Sequence, residues 1–138
     1  MGDTGALMVG LLLSYLAIRF INENELLANG HPAKFLASVA TAVCVLIIPI
    51  FDTLRVILLR IRKMQSPLRA DRNHIHHQFL NLGFSHARTV LILGGINTFF
   101  ILLALLLKGK SDALILGVVV VICLGINFAL KKAQNRVA

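Results

Sequence analysis

A cluster of histidine and arginine side chains in the middle of the chain is the part of the sequence best suited to chemistry. His74, His76 and His77 fall within four residues, and Arg69 and Arg72 precede them closely. Neutral imidazoles both donate and accept hydrogen bonds, and guanidinium groups bind phosphate oxygens in a fixed fork. The cluster predicts a site that handles phosphate, with a solvated polar face as the alternative.

Regular backbone geometry does not bring the three histidines to one metal ion. On a helix, which advances about 100° per residue, His74 and His76 point about 160° apart. In an extended segment these two share a face and His77 lies on the other. We therefore do not expect a compact three-histidine zinc site.

A second candidate is the carboxylate of Asp3, in the opening Met-Gly-Asp-Thr-Gly-Ala at residues 1–6. A helix N-terminus carries unpaired N–H groups and a partial positive charge, so it favours anions such as phosphate. A carboxylate there can bind Mg²⁺, which typically takes one or two carboxylates together with substrate phosphates. The alternative is that Asp3 only caps the helix.

Other polar residues in or near the apolar runs are interpreted as structural. Asp52 and Arg55 lie three residues apart and can pair on a helix face, which would fix where that helix leaves the membrane. Asn97 and Asn127 are predicted to hydrogen-bond between helices. Small residues should let helices approach closely, namely Gly10, Gly94, Gly95, Gly117 and Gly125.

The elements that must position these residues are membrane helices. Of the 138 residues, 57% are hydrophobic and 14% are charged, with a mean hydropathy of +0.82. About 20 apolar residues span a bilayer, and four blocks approach that length. They predict an all-α polytopic membrane protein with four transmembrane helices at about 4–21, 35–51, 89–107 and 113–130, and a basic cytosolic loop at 52–88.

The distribution of charge predicts the orientation of these helices. The loop 52–88 carries seven lysine and arginine residues, and the tail after 130 carries three. Basic segments stay on the cytoplasmic side, so both termini and the loop are expected there. The net charge of +8 lies beside the spans, where it meets anionic lipid head groups, and nucleic acid is not expected. Cys44 and Cys123 are interpreted as packing residues.

Local signals place a bend and a short helix near the histidines. Pro49 predicts a kink in the second span. Asp71 is a candidate N-cap and Gly83 a candidate C-terminal glycine for a helix between them, and Ser85 is a candidate cap for the third span. The apolar face of the short helix consists of Ile75, Phe79 and Leu82.

Three motifs together resemble a known family. They are the opening Met-Gly-Asp-Thr-Gly-Ala, Pro-Ile-Phe-Asp-Thr-Leu-Arg at 49–55, and Asp-Arg-Asn-His-Ile-His-His at 71–77. In this order they resemble the C-terminal part of the polyprenyl-phosphate N-acetylhexosamine-1-phosphate transferases of glycosyltransferase family 4, relatives of phospho-MurNAc-pentapeptide translocase. The resemblance implies transfer of a sugar 1-phosphate from a UDP-sugar to undecaprenyl phosphate, releasing UMP, to initiate cell-envelope polysaccharide synthesis.

The resemblance also implies roles for individual residues. Asp3 corresponds to the family's metal-binding carboxylate, which takes Mg²⁺, with Mn²⁺ as the alternative. His74, His76 and His77 correspond to the catalytic loop that closes over the diphosphate, and the substrate-binding residues Arg69 and Arg72 lie beside it. Whether a histidine takes part in proton transfer is left open.

The sequence departs from the family in its length and in one motif. Family members are more than twice as long and carry an Asp-Asp-x-x-Asp/Asn motif, whereas this chain has no adjacent aspartates. We therefore expect a C-terminal piece that is inactive alone, with a missing N-terminal half or a second copy as its partner. The alternative is a small non-enzymatic four-helix membrane protein that binds anionic lipid or a partner through its basic loop. A metal-ion transporter is ranked last, because the spans hold no histidine or carboxylate.

Overall fold

The computed structural model describes residues 3–66 and 74–137, with side chains for 4–66 and 74–135. Within those ranges the chain is helical and has no β-strand, which confirms the predicted all-α class. The helices are α1 (Asp3–Leu26), α2 (Ser38–Val45), α3 (Ile47–Arg62), α4 (Ile75–Asn81), α5 (His86–Leu106) and α6 (Asp112–Val137).

The long apolar helices are α1, α5 and α6. Each contains a stretch able to cross a membrane, at Thr4–Leu26, His86–Leu106 and Asp112–Asn135, among the residues described. These stretches contain most of the predicted spans 4–21, 89–107 and 113–130. The pair α2 and α3 brings the number of candidate spans to four if it is taken as one broken span.

The second predicted span, 35–51, is divided by a sharp bend. The axes of α2 and α3 differ by 79°, and the break lies at Leu46 (φ −100°, ψ 17°), three residues before Pro49. Proline has no N–H and its ring collides with the carbonyl four residues earlier, which here belongs to Val45. A straight helix through Pro49 is therefore excluded, and the predicted loop 52–88 begins inside α3.

The core lies where α2, α5 and α6 meet. Small side chains on α2 allow the larger residues of α5 and α6 to pack closely. The buried residues are Ala37, Ala40, Cys44, Phe100, Ala104, Ile115, Val119 and Cys123. Both cysteines are free and buried, as predicted. The expected role of the glycines is wrong within this chain, because a Cβ placed on Gly10, Gly94, Gly95, Gly117 or Gly125 meets no atom within 4 Å.

One end of the bundle, here called the turn end, consists of the connections 27–37 and 107–111. Asp112, at the start of α6, accepts a hydrogen bond from the backbone N–H of Ala40 through Oδ1 at 2.6 Å. This N–H is in the first turn of α2 and has no partner inside that helix. The carboxylate therefore joins α6 to the start of α2.

A buried asparagine closes the same end. The Asn24 side chain donates to the carbonyl oxygen of Phe35 and accepts from its N–H, both at 2.8 Å. Asn24 is only 4% exposed, so these two bonds replace water for four polar groups. The end of α1 is thereby attached to the chain that leads into α2.

Helix α4 packs on α5 and α6. The sequence predictions of a short helix here, of its apolar face and of its C-terminal glycine are confirmed. Ile75 and Phe79 are buried, and Leu82 packs beside them. Gly83 has φ +85°, and the N–H groups of Gly83 and Phe84 bond to carbonyls of Leu80 and Phe79, which is the Schellman arrangement.

Candidate active site

The carboxylate of Asp52 holds together the end of the bundle that carries the histidines. Its Oδ2 lies 2.9 Å from Nδ1 of His74, and its Oδ1 accepts a hydrogen bond from the N–H of Ile75 at 2.8 Å. The side chain of Asp52 is 14% exposed. Hydrogen bonds to a charged, mostly buried group are among the stronger ones in proteins. The residues Asp52, His74, His76 and His77 together are called the histidine end below.

The helix cap predicted at Asp71 is wrong. Helix α4 begins at Ile75, and His74 occupies the N-cap position with an extended backbone and no side-chain cap bond of its own. Asp52 supplies the capping oxygen instead, from 23 residues earlier in the chain. Asp71 itself lies outside the described residues.

The three histidine rings form one cluster. The centroids of His76 and His77 are 4.0 Å apart, and those of His74 and His76 are 6.2 Å apart with nearly parallel planes. The pKa of His76 is lowered, first because its ring is partly removed from water and then because a second charge on His77 would repel it. The nearby carboxylate of Asp52 opposes this shift.

A second contact ties α3 to α6. Arg55 donates through Nε to Oδ1 of Asn127 at 2.9 Å, so Asn127 bonds between helices as predicted. On α5, the Oδ1 atom of Asn97 is buried without a hydrogen-bond partner among the described residues. Asp52 and Arg55 thus anchor α3 to α4 and α6 respectively.

An apolar groove of about 310 Å³ runs between α3 and α6. It is open along one side, since the four leucine and valine residues at its rim are more than half exposed: Leu54, Leu58, Val120 and Leu124. Arg55 and Arg62 line the same groove. The sequence does not predict this groove, because it lies between α3 and α6, which are far apart along the chain.

The start of α1 lies on the same side of the bundle as the histidine end. Asn24 fixes the other end of α1 at the turn end. Gly10, in the first half of α1, lines an open pocket of about 380 Å³ together with Pro49, just after the α2–α3 break. At about 1.5 Å per residue, Asp3 lies roughly 10 Å beyond Gly10. The histidine end lies near the start of α5, since Ile75 and Phe79 pack against Ile92 and Leu93, whereas the other end of α5 lies at the turn end.

Three predicted site residues have side chains outside the described part of the chain. Arg69 and Arg72 lie outside the described residues, and so does the side chain of Asp3. Within the described residues no group of three histidine, cysteine, aspartate or glutamate side chains can hold a metal ion. Asp3 remains the residue for which a magnesium site is predicted.

Comparison with curated proteins found relatives that match most of this chain. The decaprenyl-phosphate N-acetylglucosaminephosphotransferase of Mycolicibacterium smegmatis is 34% identical over 131 residues, which are 90% of this chain and 32% of that protein. The protein of the same name from Mycobacterium leprae is 35% identical over 95 residues, 67% of this chain and 24% of its own length.

A third relative comes from a different bacterial group. The undecaprenyl-phosphate alpha-N-acetylglucosaminyl 1-phosphate transferase of Haemophilus influenzae is 29% identical over 93 residues, 67% of this chain and 24% of that protein. This chain thus spans about a third or less of the length of these curated relatives. No family model matches the chain, and no solved structure matches it significantly.

Proposed function

Because the chain belongs to the polyprenyl-phosphate N-acetylhexosamine-1-phosphate transferase family, we propose that it works in transferring a sugar 1-phosphate from a UDP-sugar to undecaprenyl phosphate, with release of UMP. The sugar proposed is an N-acetylhexosamine, and the product would begin a cell-envelope polysaccharide. The histidine end and both termini would face the cytoplasm at the bacterial plasma membrane, because the basic residues concentrate there.

The observation that carries this proposal is the open apolar groove between α3 and α6, whose lining includes Arg55, three residues after Asp52 on α3. A polyprenyl phosphate has a long apolar chain and an anionic head. The open groove between α3 and α6 suits the chain, since its exposed rim gives access from surrounding lipid. Arg55 and Arg62 line it and can attract the phosphate. The bond between Arg55 and Asn127 orients one of these guanidinium groups.

The reaction requires two anions to approach each other. A lipid phosphate must attack a nucleotide diphosphate, so positive charge and hydrogen-bond donors must offset the repulsion as charge develops on the leaving phosphate. Arg55 and Arg62 in the groove and the imidazoles of the histidine end support this role. The carboxylate of Asp3, on the same side of the bundle, is the proposed ligand for Mg²⁺, with Mn²⁺ as the alternative. When bound, such an ion would supply further positive charge at the diphosphate.

The chain alone is proposed to be inactive. It matches about a third of the length of the Mycolicibacterium smegmatis relative, and it contains no adjacent pair of aspartates. The proposed partner is therefore the remaining two thirds of such a transferase, or a second copy of this chain. A non-enzymatic role in binding anionic lipid through the basic segment is the competing function.

A chimeric transferase tests the proposal. This chain replaces the matching third of the Mycolicibacterium smegmatis protein, and membranes are assayed with UDP-N-acetylglucosamine and decaprenyl or undecaprenyl phosphate. We expect product and UMP in equal amounts from the chimera, loss of both in its His76→Ala variant, and little change in Lys110→Ala at the turn end.

The outcomes separate the two functions. A chimera that is inserted and folded yet gives no lipid-linked sugar contradicts the transferase proposal and favours the lipid-binding alternative. Turnover by the 138-residue chain on its own would contradict the proposed inactivity.

A further inference from the structure

The contact between Asp52 and His74 determines which ring nitrogen carries a proton. An ionised carboxylate only accepts hydrogen bonds, and Oδ2 of Asp52 lies 2.9 Å from Nδ1 of His74. The proton of that bond must therefore sit on Nδ1. In the neutral imidazole the other nitrogen, Nε2, is then an acceptor and carries no proton.

The surroundings show that this contact does more than hold a helix. Capping α4 needs one oxygen, and Oδ1 of Asp52 already accepts from the N–H of Ile75. The second oxygen is used for the ring. The His74 side chain is 40% exposed whereas that of Asp52 is 14% exposed, so the carboxylate lies behind the ring and the ring faces outward.

The turn end provides a natural comparison for this carboxylate. Asp112 also caps a helix start from a distance, by accepting from the N–H of Ala40 through Oδ1. Among the described residues, the carboxylate of Asp52 contacts a histidine ring, whereas that of Asp112 does not. The added feature at Asp52 is the orientation of an imidazole.

We propose that Asp52 is the positioning residue of the histidine end: it fixes the tautomer of His74 with the proton on Nδ1 and presents Nε2 as a hydrogen-bond acceptor. The ligand of Nε2 rests on the proposed function: it is a phosphate monoester that donates a hydrogen bond through its remaining proton. Its second pKa is near 6, so a fraction of it keeps this proton around neutral pH. Asp52 does not touch the ligand and acts through His74.

Substituting asparagine for Asp52 separates this role from capping. The carboxamide oxygen in Asp52→Asn can still accept from Ile75 N–H, and asparagine is a good capping residue. Its NH₂ group can only donate, so it would face Nδ1 of His74 as a donor and force the proton to Nε2. The variant therefore keeps the shape of the contact and reverses the tautomer.

The tautomer is measured directly by NMR. The 138-residue chain is labelled with ¹⁵N-histidine in micelles at a pH above 7.5, where imidazoles are neutral, and long-range ¹H–¹⁵N spectra distinguish Nδ1–H from Nε2–H rings. The signals of His74 are those lost in His74→Gln. We expect Nδ1–H in the native chain, Nε2–H in Asp52→Asn, and the native pattern in Asp112→Asn.

The native spectrum alone can overturn the proposal, whether or not any variant folds. A native His74 with its proton on Nε2, or the same tautomer in the native chain and a folded Asp52→Asn, contradicts it. Farnesyl phosphate is then added at a pH near 7, where about a tenth of the monoester still carries its second proton, with farnesol as the control, and we expect only the phosphate to shift His74 Nε2. If His74 carries its proton on Nδ1 but its Nε2 signal does not shift with farnesyl phosphate, the result supports the positioning role of Asp52 and counts against the proposed function.

Discussion

At the turn end, Asp112 binds the N–H of Ala40 and Asn24 binds both polar backbone groups of Phe35. At the histidine end, Asp52 binds the N–H of Ile75 and also the ring of His74. Both ends use a side-chain oxygen to satisfy a helix start from a distant part of the chain. Only the histidine end extends that contact to a group that exchanges protons.

The difference indicates how the chain divides stability from chemistry. At the turn end, Asn24 and Asp112 bind backbone groups, and within the described ranges neither of them contacts an imidazole there. At the histidine end, three imidazole rings lie close together, and arginines line the open groove between α3 and α6. Substitutions at the turn end should therefore lower the free energy of unfolding and leave activity nearly unchanged. Substitutions at the histidine end should lower activity and change the free energy of unfolding less.

The largest expected effect is on activity at the histidine end. In the chimeric transferase, Asp52→Ala should lower kcat by roughly a hundredfold, since partners that orient reactive groups are typically worth 10–100-fold. The measurement is product formation at saturating UDP-N-acetylglucosamine. Asp112→Ala is the matched control and should keep kcat within about twofold of the native chimera. Equal losses in the two variants would show that both carboxylates act only through the fold.

The next largest effect is on stability at the turn end. Asn24→Ala should lower the free energy of unfolding by about 2 kcal/mol, because it leaves the N–H and the carbonyl of Phe35 buried without partners. Unfolding in mixed micelles monitored by circular dichroism measures this. Asn29→Ala is the control, since Asn29 is exposed and its bond to Lys34 is exposed too. Stability unchanged in Asn24→Ala would contradict the account of this end.

A smaller effect is the pH dependence of stability that arises at the histidine end. The pKa of His76 is lowered by partial removal from water and by His77, so the folded chain holds this proton less tightly than the unfolded chain. Stability from this source is present above the ordinary value of about 6.5 and falls as pH drops through it.

An NMR titration measures the midpoint of His76, which we expect below 6.5. His77→Gln should raise the midpoint, because it removes the neighbouring charge, although the larger contribution from removal from water remains. A native midpoint at or above 6.5 would contradict the lowered pKa of His76.

The smallest expected effect lies at the start of α5. Ser85 accepts a hydrogen bond from the N–H of Arg88 at 3.4 Å on an exposed surface. Because this bond is long, Ser85→Ala should cost about 0.5 kcal/mol, the low end for a helix cap. The same unfolding assay measures it, with Ser85→Gly expected to lie closer to the native chain. A loss as large as that of Asn24→Ala would remove the distinction in stability between the two ends.

The parts of the fold predictable from sequence are those set by neighbours along the chain. The apolar lengths of α1, α5 and α6 are visible directly. The face of α4, its glycine at Gly83 and the cap at Ser85 follow from residues three to eight positions apart. The bend was expected at Pro49 and lies three residues earlier, because proline excludes the hydrogen bond of the turn before it.

The contacts that define the site could not be predicted in this way. Asp52 reaches His74 across 22 residues, and Arg55 reaches Asn127 across 72. A helical repeat indicates which residues share a face but not which distant helix that face meets. The motif at 49–55 singled out both residues, yet local spacing suggested only that they pair with each other. The groove between α3 and α6 depends on the same unpredicted packing.

The central claim is that the start of α1 and the histidine end share one membrane face, opposite the turn end. Single cysteines are introduced as Thr4→Cys, His76→Cys and Gly109→Cys and exposed to a membrane-impermeant maleimide in sealed vesicles of both orientations. The native chain, with Cys44 and Cys123 buried, gives the background. The account predicts that positions 4 and 76 label from one side and position 109 from the other; labelling of 4 and 76 from opposite sides would contradict it.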